Sequence, residues 1–168
     1  MDKKQIFKDM QIAIRENSSH KISQIINEEN NALEMNTPFG TWLHIAASKG
    51  NLEVVKKFVE LGININKKGG TFNGTAIERA ASEGHIEIVK YLISCGAELD
   101  TSEPEGNPLF AAIQGGHLEI VKLLIQSGID ATIKYTGENM NNMDALAFAV
   151  EQGQEEIANL LKTNLSKG

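Results

Sequence analysis

Four histidines, one cysteine and two glycine-rich stretches are the residues here whose types could carry chemistry. Histidine titrates near neutrality and serves as general base or metal ligand. His20, His44, His85 and His117 belong to no HExxH motif and have no paired cysteines beside them, so zinc has no support. Gly115-Gly116 and Lys67-Lys68-Gly69-Gly70 resemble phosphate loops only in glycine content. Neither is followed by the Gly-Lys-Ser/Thr pattern or set between a strand and a helix, so both read as hairpins. Cys95 precedes Gly96 at an expected helix C-terminus, where the negative end of the helix dipole disfavours a thiolate. No catalytic residue, metal or cofactor is therefore expected.

The elements that hold these residues repeat. Thr41-Trp42-Leu43-His44-Ile45-Ala46-Ala47, Thr75-Ala76-Ile77-Glu78-Arg79-Ala80-Ala81 and Asn107-Pro108-Leu109-Phe110-Ala111-Ala112 align with one another. Glycines at 50, 84, 116 and 153 are spaced by 34, 32 and 37, and those at 62, 96 and 128 by 34 and 32. A period of this size signals stacked supersecondary units. In each unit a short helix with paired small residues admits a close neighbour, and a glycine ends it at little steric cost. A second helix follows with apolar residues at helical spacing: Leu52, Val55, Phe58 and Val59, or Leu118, Val121, Leu124 and Ile125. Glu87 with Lys90 and Glu119 with Lys122 stand three apart on the expected solvent side, each pair worth roughly 0.2–0.5 kcal/mol.

Bulk composition agrees with one folded domain. The chain has 168 residues, 41% hydrophobic and 23% charged, which is the balance of a globular protein and not of a disordered one. No apolar run is long enough to span a bilayer, and the Met1-Asp2-Lys3-Lys4 start lacks the apolar core of a secretion signal. A single cysteine excludes an internal disulfide and fits a reducing compartment, so a cytoplasmic location is expected. A net charge of -6 lacks the basic surplus that nucleic acid or an anionic membrane surface demands, and neither is expected as a partner.

The Thr-x-Leu-His start at Thr41, the Gly-His turns at Gly84-His85 and Gly116-His117, and the Leu-Glu-Val-Val and Leu-Glu-Ile-Val second helices resemble the ankyrin repeat. The resemblance covers residues 36–164 and extends to the N-terminus, where a 33-residue step back from Ala46 lands on Ala13 and from Val55, Phe58 and Val59 on Ile22, Ile25 and Ile26. It implies an all-α solenoid of about five helix-turn-helix units joined by hairpin loops. The expected units are 1–35, 36–70, 71–102, 103–138 and 139–168, with the first and last as polar-faced caps. No unit keeps the full Thr-Pro-Leu-His: Trp42 and Ala76 replace the proline, and Glu78 and Phe110 the histidine. By resemblance His44, His85 and His117 are structural, bonding backbone of neighbouring units, and His20 faces solvent.

Family resemblance further implies a non-catalytic module that binds a protein through hairpin tips and a concave face. The candidate partner-binding residues are the apolar and aromatic side chains in hairpins, Phe39, Trp42, Phe72, Tyr135, Met140 and Met143. The competing reading is that each covers the neighbouring hairpin. Glu98, Asp100, Glu103 and Glu105 make the third hairpin acidic. That run is either a solvated loop or, through Glu103 and Glu105, a steering surface for a basic partner. Residues 131–143 lengthen the last step to 37 and form an extended loop on the expected binding side. With residues 107–112, this loop resembles small stand-alone bacterial ankyrin proteins, some of which are immunity partners of secreted toxins. That implies a monomer that occludes a toxin domain with a basic surface. A scaffolding subunit without a single tight partner is the alternative, and an enzyme is the least supported.

Overall fold

The computed structural model describes residues 2–29 and 31–166. Among these residues ten α-helices follow one another in pairs: α1 (Lys3–Arg15) and α2 (Ser19–Glu28), α3 (Trp42–Ser48) and α4 (Leu52–Glu60), α5 (Ala76–Ser82) and α6 (Ile86–Ser94), α7 (Pro108–Gln114) and α8 (Leu118–Gln126), α9 (Ala145–Glu151) and α10 (Glu155–Leu165). From α3 onward the first helices pack in a row, α3 on α5, α5 on α7 and α7 on α9. The second helices form a parallel row, α2 on α4, α4 on α6, α6 on α8 and α8 on α10. Each unit thus touches chiefly its neighbours, the arrangement of a solenoid.

Small residues let the first row close up. Ala46, Ala47, Ala80, Ala81 and Ala112 are fully buried between successive helices. Behind them the core runs unbroken from Met10 and Ile14 through Trp42, Leu43 and Phe58 to Leu92, Ile113 and Leu124, all fully buried. Every first helix is closed by the same backbone bond, in which the second residue past the helix cap donates to an alanine carbonyl: Ser18 to Ala13, Asn51 to Ala46, His85 to Ala80, His117 to Ala112 and Gln154 to Ala149. The first unit lacks the glycine and uses Asn17 at φ 54 instead. Asparagine tolerates the left-handed region better than most residues. The second helices α4, α6 and α8 end similarly, as with Gly62 at φ 85 and the Ile63 N–H donating to the Phe58 carbonyl at 3.1 Å. This satisfies carbonyls that the helix end would otherwise leave bare.

Side-chain staples join the units. Asn51 donates to the Ile14 carbonyl at 3.0 Å, and the Nε2 of His85 and of His117 donate to the Ser48 and Ser82 carbonyls at 3.0 and 2.9 Å. A carbonyl only accepts, so Nε2 carries the proton in both rings. These histidines are structural, as expected, and His20 is exposed.

The connections between units differ from one another. The first two are tight turns with single bridges, Thr37 to Gly40 and Gly69 to Gly74, and the third contains a 3₁₀ turn at Pro104–Gly106. The long loop of residues 131–143 is a β-hairpin, β1 (Tyr135–Gly137) antiparallel to β2 (Met140–Met143), with an irregularity after Tyr135. Strand pairing thus accounts for the extra length. At the far end of the row Val150 is 64% exposed, whereas Ala47, Ala81 and Ile113, which hold the same place three residues before the turn glycine, are covered by the next helix.

Candidate partner-binding groove

The groove is built from the exposed side of the first helices and the hairpins that overhang them. On α3, His44 folds back over Gly40, where a Cβ would stand 2.7 Å from the ring. Its Nδ1 accepts from the Thr41 N–H at 3.1 Å and lies 2.8 Å from the Thr41 hydroxyl. Its Nε2 donates to the Gly74 carbonyl of the next hairpin at 3.0 Å. Both ring nitrogens are therefore used in the neutral form, and burial lowers the pKa of the ring.

One unit later Glu78 takes the histidine's place and the staple is lost. The side chain is buried beside Gly74, but its Oε2 has no hydrogen-bond partner, and neither has the buried Thr75 hydroxyl. Arg79 Nε approaches Oε2 only to 3.6 Å, too far for a hydrogen bond. The Arg79 guanidinium lies instead 5.6 Å from the centre of the Phe72 ring. Burial raises the Glu78 carboxyl pKa, with Arg79 opposing the shift.

Around this vacancy lies a recess of about 330 Å³, lined by Phe72, Glu78, Arg79, Phe110, Met140 and Phe148 among others. Phe110 stands where His44 and Glu78 stand in their units, and Phe148 where Ile45 and Arg79 do. Their rings stack at 4.8 Å with 20° between planes. A second recess of about 270 Å³, lined by Phe39, His44, Ile45, Ser48 and Arg79, adjoins the first through Arg79.

The candidate residues divide accordingly. Phe39 and Phe72 stand free at successive hairpin tips, 61% and 58% exposed. Met140 is half-buried and lines the larger recess, whereas Met143 packs half-buried against the core. Glu103 and Glu105 are exposed and form no ion pair among the described residues, and Glu105 borders the recess.

Two candidates are corrected. Trp42 is completely buried, tilted against Phe7 at 5.8 Å, and its Nε1 donates to the Ala32 carbonyl at 2.7 Å. It secures the first unit to the second and offers nothing to a partner. Tyr135 is 9% exposed and is a latch: its hydroxyl donates to the Thr101 carbonyl at 2.7 Å and accepts from Asn107 Nδ2 at 3.0 Å. Its ring meets Phe110 edge-on at 5.1 Å. Both carry a polar handle that finds a buried partner, which turns the side chain inward.

Arg79, Glu78, Phe110 and Phe148 were not among the sequence candidates. The departures from Thr-Pro-Leu-His at Glu78 and Phe110 were their only visible signal. The acidic hairpin is also less charged than its sequence, because Lys68 pairs with Asp100 and holds its carboxyl down at about 2. Cys95 is half-buried at the end of α6, and no group of three or more described His, Cys, Asp or Glu residues could hold a metal ion.

A family model described as ankyrin repeats (3 copies) matches residues 10–103 and 77–167, nearly the whole chain. The chain belongs to the ankyrin-repeat family. Ankyrin repeats are in general protein–protein interaction modules and typically not enzymes. No curated protein matches this ankyrin array. None of its described helices is long and apolar enough to cross a membrane.

Proposed function

We propose that this ankyrin array is a non-catalytic module that seats a segment of a protein partner along the groove between its hairpin tips and first helices. The observation that carries this reading is the pair of exposed aromatic rings, Phe39 and Phe72, at successive hairpin tips beside adjoining recesses. Large exposed aromatic side chains next to concave surface are what interface centres are made of. Unpaired Glu103 and Glu105 at the rim supply long-range attraction for a basic partner. The narrower reading is a cytoplasmic, monomeric immunity protein that covers a basic toxin surface. The same unpaired carboxylates support it, as does the single cysteine. A scaffolding role predicts diffuse contacts instead of one groove.

A photo-crosslinking amino acid placed at position 39 or 72 in the native host tests the reading. One protein should be captured from both positions and none from position 56 or 90, which carry lysines on the second helices. Capture from all four positions alike, or from 56 and 90 alone, would overturn the groove.

A further inference from the structure

Glu78 is an acceptor left unmet at the wall of an aromatic recess. Its Oε2 is buried without a hydrogen bond, and it keeps the place in which His44 bonds to the next hairpin one unit earlier. Such a group costs free energy until a donor reaches it. The nearest cation does not serve, because Arg79 Nε stays at 3.6 Å and its guanidinium lies against Phe72. The recess is lined on one side by the stacked Phe110 and Phe148 rings and on another by Phe72, with Glu105 at its border. Glu103 adds a third carboxylate in the adjoining cleft, where Asp100 is already spent on Lys68. Aromatic faces and carboxylates together suit a cation on a long apolar stem.

Resting on the groove reading above, we infer that the recess is a specificity pocket for one arginine side chain of the partner, its stem along Phe110 and Phe148 and its guanidinium against Glu78 and Glu105. Planarity favours arginine over lysine: a guanidinium stacks on a ring while its edge donates to carboxylate. An incoming cation also favours the ionised form of Glu78, which burial disfavours in the empty groove.

The test is a titration of the isotope-labelled full chain, followed by NMR, with the capped tripeptide Gly-Arg-Gly. Gly-norleucine-Gly and Gly-Glu-Gly serve as matched probes. The arginine probe should give saturable shifts in the millimolar range at Ala111 and Met140, and its affinity should fall about threefold or more in Glu105→Gln and in Glu78→Gln. Glu105 is exposed, so its variant tests the pocket without threatening the fold. Glu98→Gln, in the same loop but outside the recess, should bind as the parent does. Equal binding of the norleucine probe, shifts away from the recess, indifference to both glutamine variants, or no saturable shift would each overturn the pocket. If position 72 still captures a partner after such a result, the groove stands and only its basic occupant is lost. Failure of both removes the groove itself.

Discussion

Two neighbouring junctions of the same array solve one position in opposite ways. Between the second and third units His44 is neutral, hydrogen-bonded through both nitrogens, and ties one hairpin to the next. Between the third and fourth, Glu78 occupies the same place with a bare oxygen, beside a bare Thr75 hydroxyl. The connections differ, but at both junctions the first helices pack on each other through fully buried small residues. At the second junction the helices stack without the staple. Where it is missing, the polar group that holds its place is left without a hydrogen bond.

Both junctions rest on one continuous core, and the largest expected effect tests that. Leu92 in α6 and Leu124 in α8 are fully buried, so Leu92→Ala or Leu124→Ala should each cost about 2–5 kcal/mol in urea unfolding. A loss under roughly 0.5 kcal/mol at either would show that the second helices do not share that core.

Next in size is the staple itself. His44→Ala leaves the Thr41 N–H unpaired in a buried setting and takes from the Gly74 carbonyl one of its two donors, the Gly69 N–H remaining, and should cost about 1–3 kcal/mol by the same measurement. Glu78→Ala removes no hydrogen bond, only the loose ion pair with Arg79, and should cost less; an equal loss at both positions would erase the distinction. Tyr135→Phe deletes the latch between the third and fourth connections while keeping the ring, and about 1 kcal/mol should be lost.

The smallest effect is the most discriminating, because the two junctions respond to pH with opposite sign. Burial lowers the His44 pKa below its ordinary 6.5, so the unfolded chain binds protons more readily and stability falls as pH drops below about 6.5. Burial raises the Glu78 pKa above its ordinary 4.5, so the folded chain holds the proton more tightly. That contribution is fully present below 4.5 and is lost as pH rises through the folded value. Melting temperatures between pH 4 and 7.5 should show Glu78→Gln gaining on the parent toward neutral pH, with the acid-side loss from His44 unchanged. A constant offset across the range would mean that Glu78 does not titrate in the folded protein.

The solenoid was legible in the chain because it is written in spacing. Glycines at 50, 84 and 116 mark the turns whatever side chains lie between them, and the alanine pairs mark the close contacts. Even the glycine-free first unit keeps the spacing, since Ala13 lies 33 residues before Ala46 and its carbonyl takes the same closing bond. The site was less legible, for two physical reasons. An aromatic residue in or beside a hairpin can turn inward when its polar atom finds a buried acceptor, as Trp42 and Tyr135 do, or stay exposed when it has none, as Phe39 and Phe72 do. The other reason is helix orientation. Phe110 and Phe148 lie inside short helices buried on several sides, so spacing alone does not tell which ring borders the groove.

Val150 leaves an open apolar seat on α9. Its side chain is uncovered at the spot where Ala47, Ala81 and Ile113 each receive the following helix, and Ile157 and Leu161 of α10 already secure its partner helix from behind. A further helix pair grafted after α10 meets a seat of the right chemistry there, since nearest-neighbour packing asks nothing of more distant units. The reach of the molecule is in this sense adjustable in whole steps, like a ruler lengthened by one division without redrawing the others.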